Sequence, residues 1–149
     1  FSVEFEYPGG VRVAAKCRQM DGTTGRVANR VVGTNAVADL NPGGTTITSH
    51  DGETLYETGD GDANPYVTEH TDLIESIRGG DPINEAEQIA NSTMTGILGR
   101  EAAYTGQEIA WDDLIASNDL SLGPDEYTFG PAPFPDVPQP GSTTTSRSW

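Results

Sequence analysis

The chain has 149 residues, with 23 Asp/Glu against 8 Lys/Arg, a formal net charge of −15 and Lys16 as its one lysine. Binding to nucleic acid and docking on an anionic membrane both rest on Lys/Arg clusters, so neither partner is expected. The 34% of hydrophobic residues supports one folded domain with a core, a single cysteine excludes an intramolecular disulfide without deciding the compartment, and no apolar run approaches the ~20 residues of a membrane span.

The first twenty residues alternate. Val3, Phe5 and Tyr7 share one phase, Pro8, Gly9 and Gly10 make a turn, and Val11, Val13, Ala15 and Cys17 share the next phase. Period two on both sides of a glycine turn predicts a β-hairpin with one buried face. Cys17 lies on the apolar phase and is assigned to the core; Lys16, one residue away, points outward. The chain opens on Phe1 inside this pattern without an initiator methionine, which points to a fragment or processed product. Further strands are predicted at 26–32, 36–40, 45–49 and 54–57, separated by glycine turns, to give one antiparallel meander of five or six strands.

At Gly59 the period changes. Tyr66, Leu73, Ile74 and Ile77 follow helical spacing over 65–79, with Asn64 as N-cap, Pro65 at the first helical position and Gly79-Gly80 as the stop. A second helix starts at Asn84, whose side chain forms a capping box with Glu87. Ala86, Ile89, Ala90, Thr93, Ile97 and Tyr104 share its face, and it ends at Gly106. Residues 107–111 are extended, and Asp112 caps a last short helix through Ala116. The fold class is therefore α+β: an open, mostly antiparallel sheet with two or three helices packed against it over residues 1–122. Most of the prolines fall in 123–149, which should run as a polyproline II tail wrapped on the domain through Tyr127, Phe129 and Phe134.

Candidate chemistry is sparse. Gly59 to Asn64 sits between a strand and a helix, as a dinucleotide loop requires, but its third glycine is replaced by Asn64 and two aspartates stand where a pyrophosphate would bind. Asp60, Asp62 and Asn64 have the spacing of a calcium loop, with Pro65 in place of the turn glycine and Thr71 in place of the bidentate glutamate. A polar loop capping the first helix accounts for these residues. His50 and His70 lie on different elements and with one cysteine make no zinc spacing; His70 is expected half-buried against the sheet and His50 solvated. No nucleophile elbow or Ser/His/Asp order is present. Asn91-Ser92-Thr93 is a glycosylation sequon placed inside a helix, and no pair among the 23 carboxylates is singled out as a glycosidase dyad. No catalytic, cofactor or metal residue is assigned.

The words of the sequence add a resemblance. Tyr7-Pro8-Gly9-Gly10-Val11, Cys17-Arg18-Gln19, Val32-Gly33-Thr34, Pro65-Tyr66-Val67 and Glu69-His70 resemble the C-terminal domain of the glucose-fructose oxidoreductase/inositol dehydrogenase (Gfo/Idh/MocA) family. Asp72-Leu73-Ile74, Ile77-Arg78-Gly79-Gly80, Asn84-Glu85-Ala86, the run Gly99 to Glu108, Trp111-Asp112 and the tail from Val137 to Gly141 extend the likeness over nearly the whole chain. The resemblance implies an N-terminal Rossmann domain for NAD or NADP, then an α/β domain whose open sheet lines the substrate site on one side and builds a homo-oligomer interface on the other. The family's nucleotide loop, catalytic lysine segment and Asp/His pair match no position in 1–149. The chain is then the distal, non-catalytic portion of a sugar or cyclitol oxidoreductase. By the same resemblance Arg18, Gln19 and Arg26 border the pocket, where guanidinium forks and an amide suit a sugar or polyol substrate; ion pairing of Arg18 and Arg26 with nearby carboxylates is the competing role. A stand-alone oligomerisation module that lost its cofactor domain is the alternative. An acidic carbohydrate binder would need stacking aromatics, and only Trp111 and Trp149 offer indoles.

Overall fold

The computed structural model describes residues 1–59, 63–117, 126–130 and 139. The described elements are β1 (Ser2–Tyr7), β2 (Val11–Lys16), β3 (Asn29–Val32), β4 (Ala36–Asn41), β5 (Gly44–Ser49), β6 (Thr54–Glu57), α1 (Pro65–Gly79), α2 (Ala86–Thr105) and α3 (Trp111–Ala116). The fold is α+β with antiparallel, open sheets. The expected single meander is divided, however: β1 and β2 form one sheet, and β3-β4-β5-β6 form another. Two compact units result, Phe1–Gln19 with Glu85–Trp149, and Met20–Asn84.

In the first unit β1 and β2 pair antiparallel, with Val3 opposite Ala15, Phe5 opposite Val13 and Tyr7 opposite Val11. Pro8, Gly9 and Gly10 close the hairpin, and both glycines have positive φ (82° and 79°), a region that side-chain-bearing residues avoid. The apolar phase meets α2 along β1. Gly99 of α2 lies over the Phe5 ring so closely that a Cβ there would stand 2.7 Å from Phe5 Cζ. Phe1 adds an edge-on contact with Tyr104, ring centres 5.3 Å apart. The half of the face carried by β2 stays uncovered, leaving Val11 and Val13 exposed. Cys17 is exposed as well: alternation placed it on the right face, but among the described residues no element covers that end of the hairpin.

Helix α2 starts differently from the expectation. The N-cap is Glu85, one residue after the expected Asn84, and the Glu85 side chain makes no cap hydrogen bond. The end at Gly106 holds: the glycine is left-handed (φ 68°) and its N–H donates to the Ala102 carbonyl. The buried residues of α2 are Gly99 and Glu101. The Glu101 carboxylate accepts from Arg100 Nε and Nη2 at 3.2 and 2.9 Å, which answers the cost of enclosing its charge. Helix α3 begins at Trp111 with Ala110 at its N-cap, one residue before the expected Asp112 cap. Asp112 and Asp113 instead occupy its first turn, where the helix dipole favours negative charge. Leu114 of α3 is the buried apolar residue among the described ones.

In the second unit the four strands pair antiparallel in sequence order. Residues 26–28, expected to open β3, lie outside the strand. The Asn41 side chain accepts from the Gly43 N–H at 2.8 Å and sets the β4–β5 turn. The β5–β6 turn is built on Ser49, whose hydroxyl accepts from the Glu53 N–H at 2.9 Å and donates to Asp51 at 2.5 Å. That hydroxyl, followed by a backbone hydrogen bond, holds the Asp51 carboxyl below its ordinary pKa. His50 is exposed as expected and donates from Nε2 to the Gly33 carbonyl at 3.0 Å.

Helix α1 matches its predicted span. Asn64 accepts from the Tyr66 N–H at 3.0 Å, and Pro65 fills the first position. At the other end Gly80 turns left-handed (φ 82°), its N–H donating to Ile77 O and the Asp81 N–H to Ser76 O, the paired bonds of a Schellman stop. Yet α1 buries no residue, and Leu73, Ile74 and Ile77 are all exposed. His70, expected half-buried, is 72% exposed, its Nδ1–H donating to the Tyr66 carbonyl at 2.6 Å. Tyr127 and Phe129, expected as anchors of the tail, are exposed; Phe134 and the Asp60–Asp62 loop lie outside the described residues.

Candidate functional site

The first unit carries a groove of about 1070 Å³ between β1, α2 and residues 107–112. Strand β1 supplies one wall, with successive residues from Val3 to Pro8 along it. Helix α2 supplies the facing wall through Asn91, Thr95, Leu98 and Ala102. These four are spaced by four, three and four positions, so they form one stripe of the helix. Small and uncharged side chains there keep the helix surface low and leave room beside the strand. The segment 107–112 closes the groove with Gln107, Glu108, Ile109 and Trp111.

Charge divides the groove. Phe5, Leu98 and Ile109 give it an apolar floor, and Glu4, Glu6, Glu108 and Asp112 outnumber its one guanidinium, Arg12. Arg12 stands opposite Glu6 in the hairpin register. Its Nη1 lies 2.6 Å from Glu4 Oε1 and its Nη2 3.1 Å from Glu6 Oε2. All three side chains are exposed, so these bridges orient the groups and contribute only ~0–1 kcal/mol each. The arrangement suits a ligand with donors or positive charge on one side and apolar surface on the other. Among the described residues no three His, Cys, Asp or Glu side chains come together as a metal site, and no helix is long and apolar enough to cross a membrane.

The residues singled out by resemblance stand elsewhere. Arg18 and Gln19 follow β2 in the first unit and Arg26 belongs to the second; all three are exposed. Arg18 and Gln19 do not line the groove. Neither Arg18 nor Arg26 forms an ion pair among the described residues, so their guanidinium donors are turned to solvent rather than spent on neighbouring carboxylates. The groove residues of α2 were missed because the stripe expected to be buried, through Ile89 and Thr93, is a different one; Ile89 is 60% exposed. The signal available was the run of small and polar residues Asn91, Thr95 and Ala102 at helical spacing.

A second surface feature belongs to the four-stranded sheet. Val31, Ala38, Ile47 and Tyr56 are directly opposite one another across all four strands, so their side chains form one apolar row on one face. The adjacent row, Arg30, Asp39, Thr46 and Glu57, points to the other face and is polar, with Arg30 and Asp39 3.5 Å apart. Val31 and Tyr56, at the two ends of the apolar row, are 58% and 47% exposed.

No protein family, curated protein or solved structure matches this chain.

Proposed function

We propose that the chain is the C-terminal substrate-pocket and oligomerisation portion of an NAD- or NADP-dependent sugar or cyclitol oxidoreductase, without catalytic activity by itself. The order of the sequence words supports the family. The observation that carries the reading is the apolar row Val31, Ala38, Ile47 and Tyr56, which crosses the whole sheet and ends in exposed side chains. An apolar row that crosses the sheet and stays exposed at both ends suits a surface used for association. Under this reading Arg18, Gln19 and Arg26 serve the sugar or polyol, and their solvent-facing donors are compatible with that role.

The test is light scattering on the 149-residue chain with a parallel NADH titration. A dimer or tetramer that does not bind NADH is expected. A monomer that binds the nucleotide overturns the reading. In the intact protein Arg18→Ala should raise KM for the polyol several-fold; an unchanged KM with the fold preserved rejects Arg18 as a substrate contact.

A further inference from the structure

The groove of the first unit runs along an edge of β1 that carries no further strand among the described residues. The Phe1 amino group donates to Cys17 O at 2.9 Å and the Cys17 N–H donates to Phe1 O at 3.1 Å. Doubly bonded pairs alternate with unbonded ones in an antiparallel ladder. With the observed register, the bonded pairs are then Val3–Ala15, Phe5–Val13 and Tyr7–Val11. The backbone N–H and C=O groups of Ser2, Glu4 and Glu6 therefore point away from β2. Among the described residues β1 has no strand on that side, and the groove lies there. Side chains of one face alone would give every second residue as lining; here successive residues from Val3 to Pro8 line it, as an edge does.

We propose that this groove takes an extended segment of a protein partner, added to β1 as a further strand, with apolar and basic residues in alternation. The free backbone groups supply the pairing, and side-chain alternation supplies the choice of sequence. One set of the added strand's side chains falls on the apolar floor of Phe5, Leu98 and Ile109. The other set falls on the Glu4 and Glu6 face, where a lysine or arginine meets two carboxylates that share one guanidinium. A second copy of this chain is a poorer occupant: it would bring another Glu4 and Glu6 against the first pair, and like charges on adjacent strands repel. The inference stands apart from the oxidoreductase reading and does not depend on it.

The probe is a fluorescein-labelled peptide of alternating lysine and valine, about seven residues long to match the ~20 Å of a six-residue strand. Its binding to the 149-residue chain is followed by anisotropy, alongside two peptides N-methylated at alternate residues in the two possible phases. Strand addition predicts that one phase abolishes binding and the other leaves it within about twofold, because only alternate amides face the β1 edge. Glu4→Gln with Glu6→Gln should weaken the parent peptide about tenfold. Thr95→Trp, which fills the groove from the α2 wall and leaves the strand untouched, should abolish binding and serves where the double variant fails to fold. No binding of the parent peptide, or equal binding by both N-methylated phases, would overturn the proposal, the latter reducing it to attraction between a cation and a chain of charge −15. A dimer that Thr95→Trp breaks, formed in place of peptide binding, would overturn it in favour of a second copy.

Discussion

The two units carry helices of similar quality and use them differently. Helix α1 has an Asn64 cap, a proline start and a Schellman stop, yet buries nothing. The N-cap residue of α2, Glu85, makes no side-chain cap hydrogen bond, yet α2 meets a sheet, through Gly99 on Phe5. Local signals decide where a helix begins and ends, whereas burial depends on whether a complementary surface is brought against it. The same contrast holds for the sheets. The hairpin is covered on β1 by α2, and the meander exposes an apolar row at both ends.

The largest effect should come from breaking the close contact of α2 with β1. Gly99→Leu drives a branched side chain into the Phe5 ring, and overpacking of this kind costs ~1–3 kcal/mol or somewhat more. We expect a loss of about 3 kcal/mol in urea unfolding, with faster amide exchange in β1 and α2 and unchanged exchange in β3 to β6. Equal acceleration in both units would show that the contact is not local.

A charge on the apolar row probes the other unit. Val31→Lys should leave the unfolding free energy within ~0.5 kcal/mol, because the position is exposed. It should weaken self-association at least tenfold, or ~1.4 kcal/mol, in sedimentation equilibrium. An unchanged association constant would detach the row from assembly.

Two glycines of α2 sharpen the first contrast. A Cβ at Gly96 meets nothing within 4 Å, so Gly96→Ala should stabilise the helix by up to ~1 kcal/mol. Gly99→Ala should destabilise despite the same gain in propensity, since the ring must move. Matching signs in thermal melts would mean that Phe5 has room to yield.

The smallest effect concerns the Ser49 turn. Asp51 has a depressed pKa in the folded state, chiefly through the Ser49 hydroxyl. Its contribution to stability is present above the ordinary carboxylate range and is lost as pH falls through the depressed folded value. Ser49→Ala should return the Asp51 titration, followed by carboxyl-carbon NMR, upward to the ordinary range. An unmoved midpoint would assign the depression to the backbone hydrogen bond instead.

Much of the fold was legible because it is written in short range. Alternation around Pro8, Gly9 and Gly10 located the hairpin, Asn64, Pro65 and Gly80 bounded α1, and Gly106 ended α2, each through the backbone conformation of a few adjacent residues. The errors arose where a neighbour distant in sequence decides. Cys17 and His70 lie on faces that read as apolar, but burial requires a covering element, and neither position has one among the described residues. The groove was invisible for the same reason, since Glu4, Glu6, Leu98 and Trp111 are far apart in sequence and chemically ordinary one by one.

The sequence by itself determined the α+β class, the antiparallel pairing, the limits of α1, the end of α2 and a net charge of −15, because each follows from period, caps or composition. Only the tertiary structure decided that the strands part into two sheets, that α2 rather than α1 covers one of them, and that β1 lies beside a groove with no further strand on that edge among the described residues. Those outcomes depend on which surfaces fit together, a property of shape that no local period encodes.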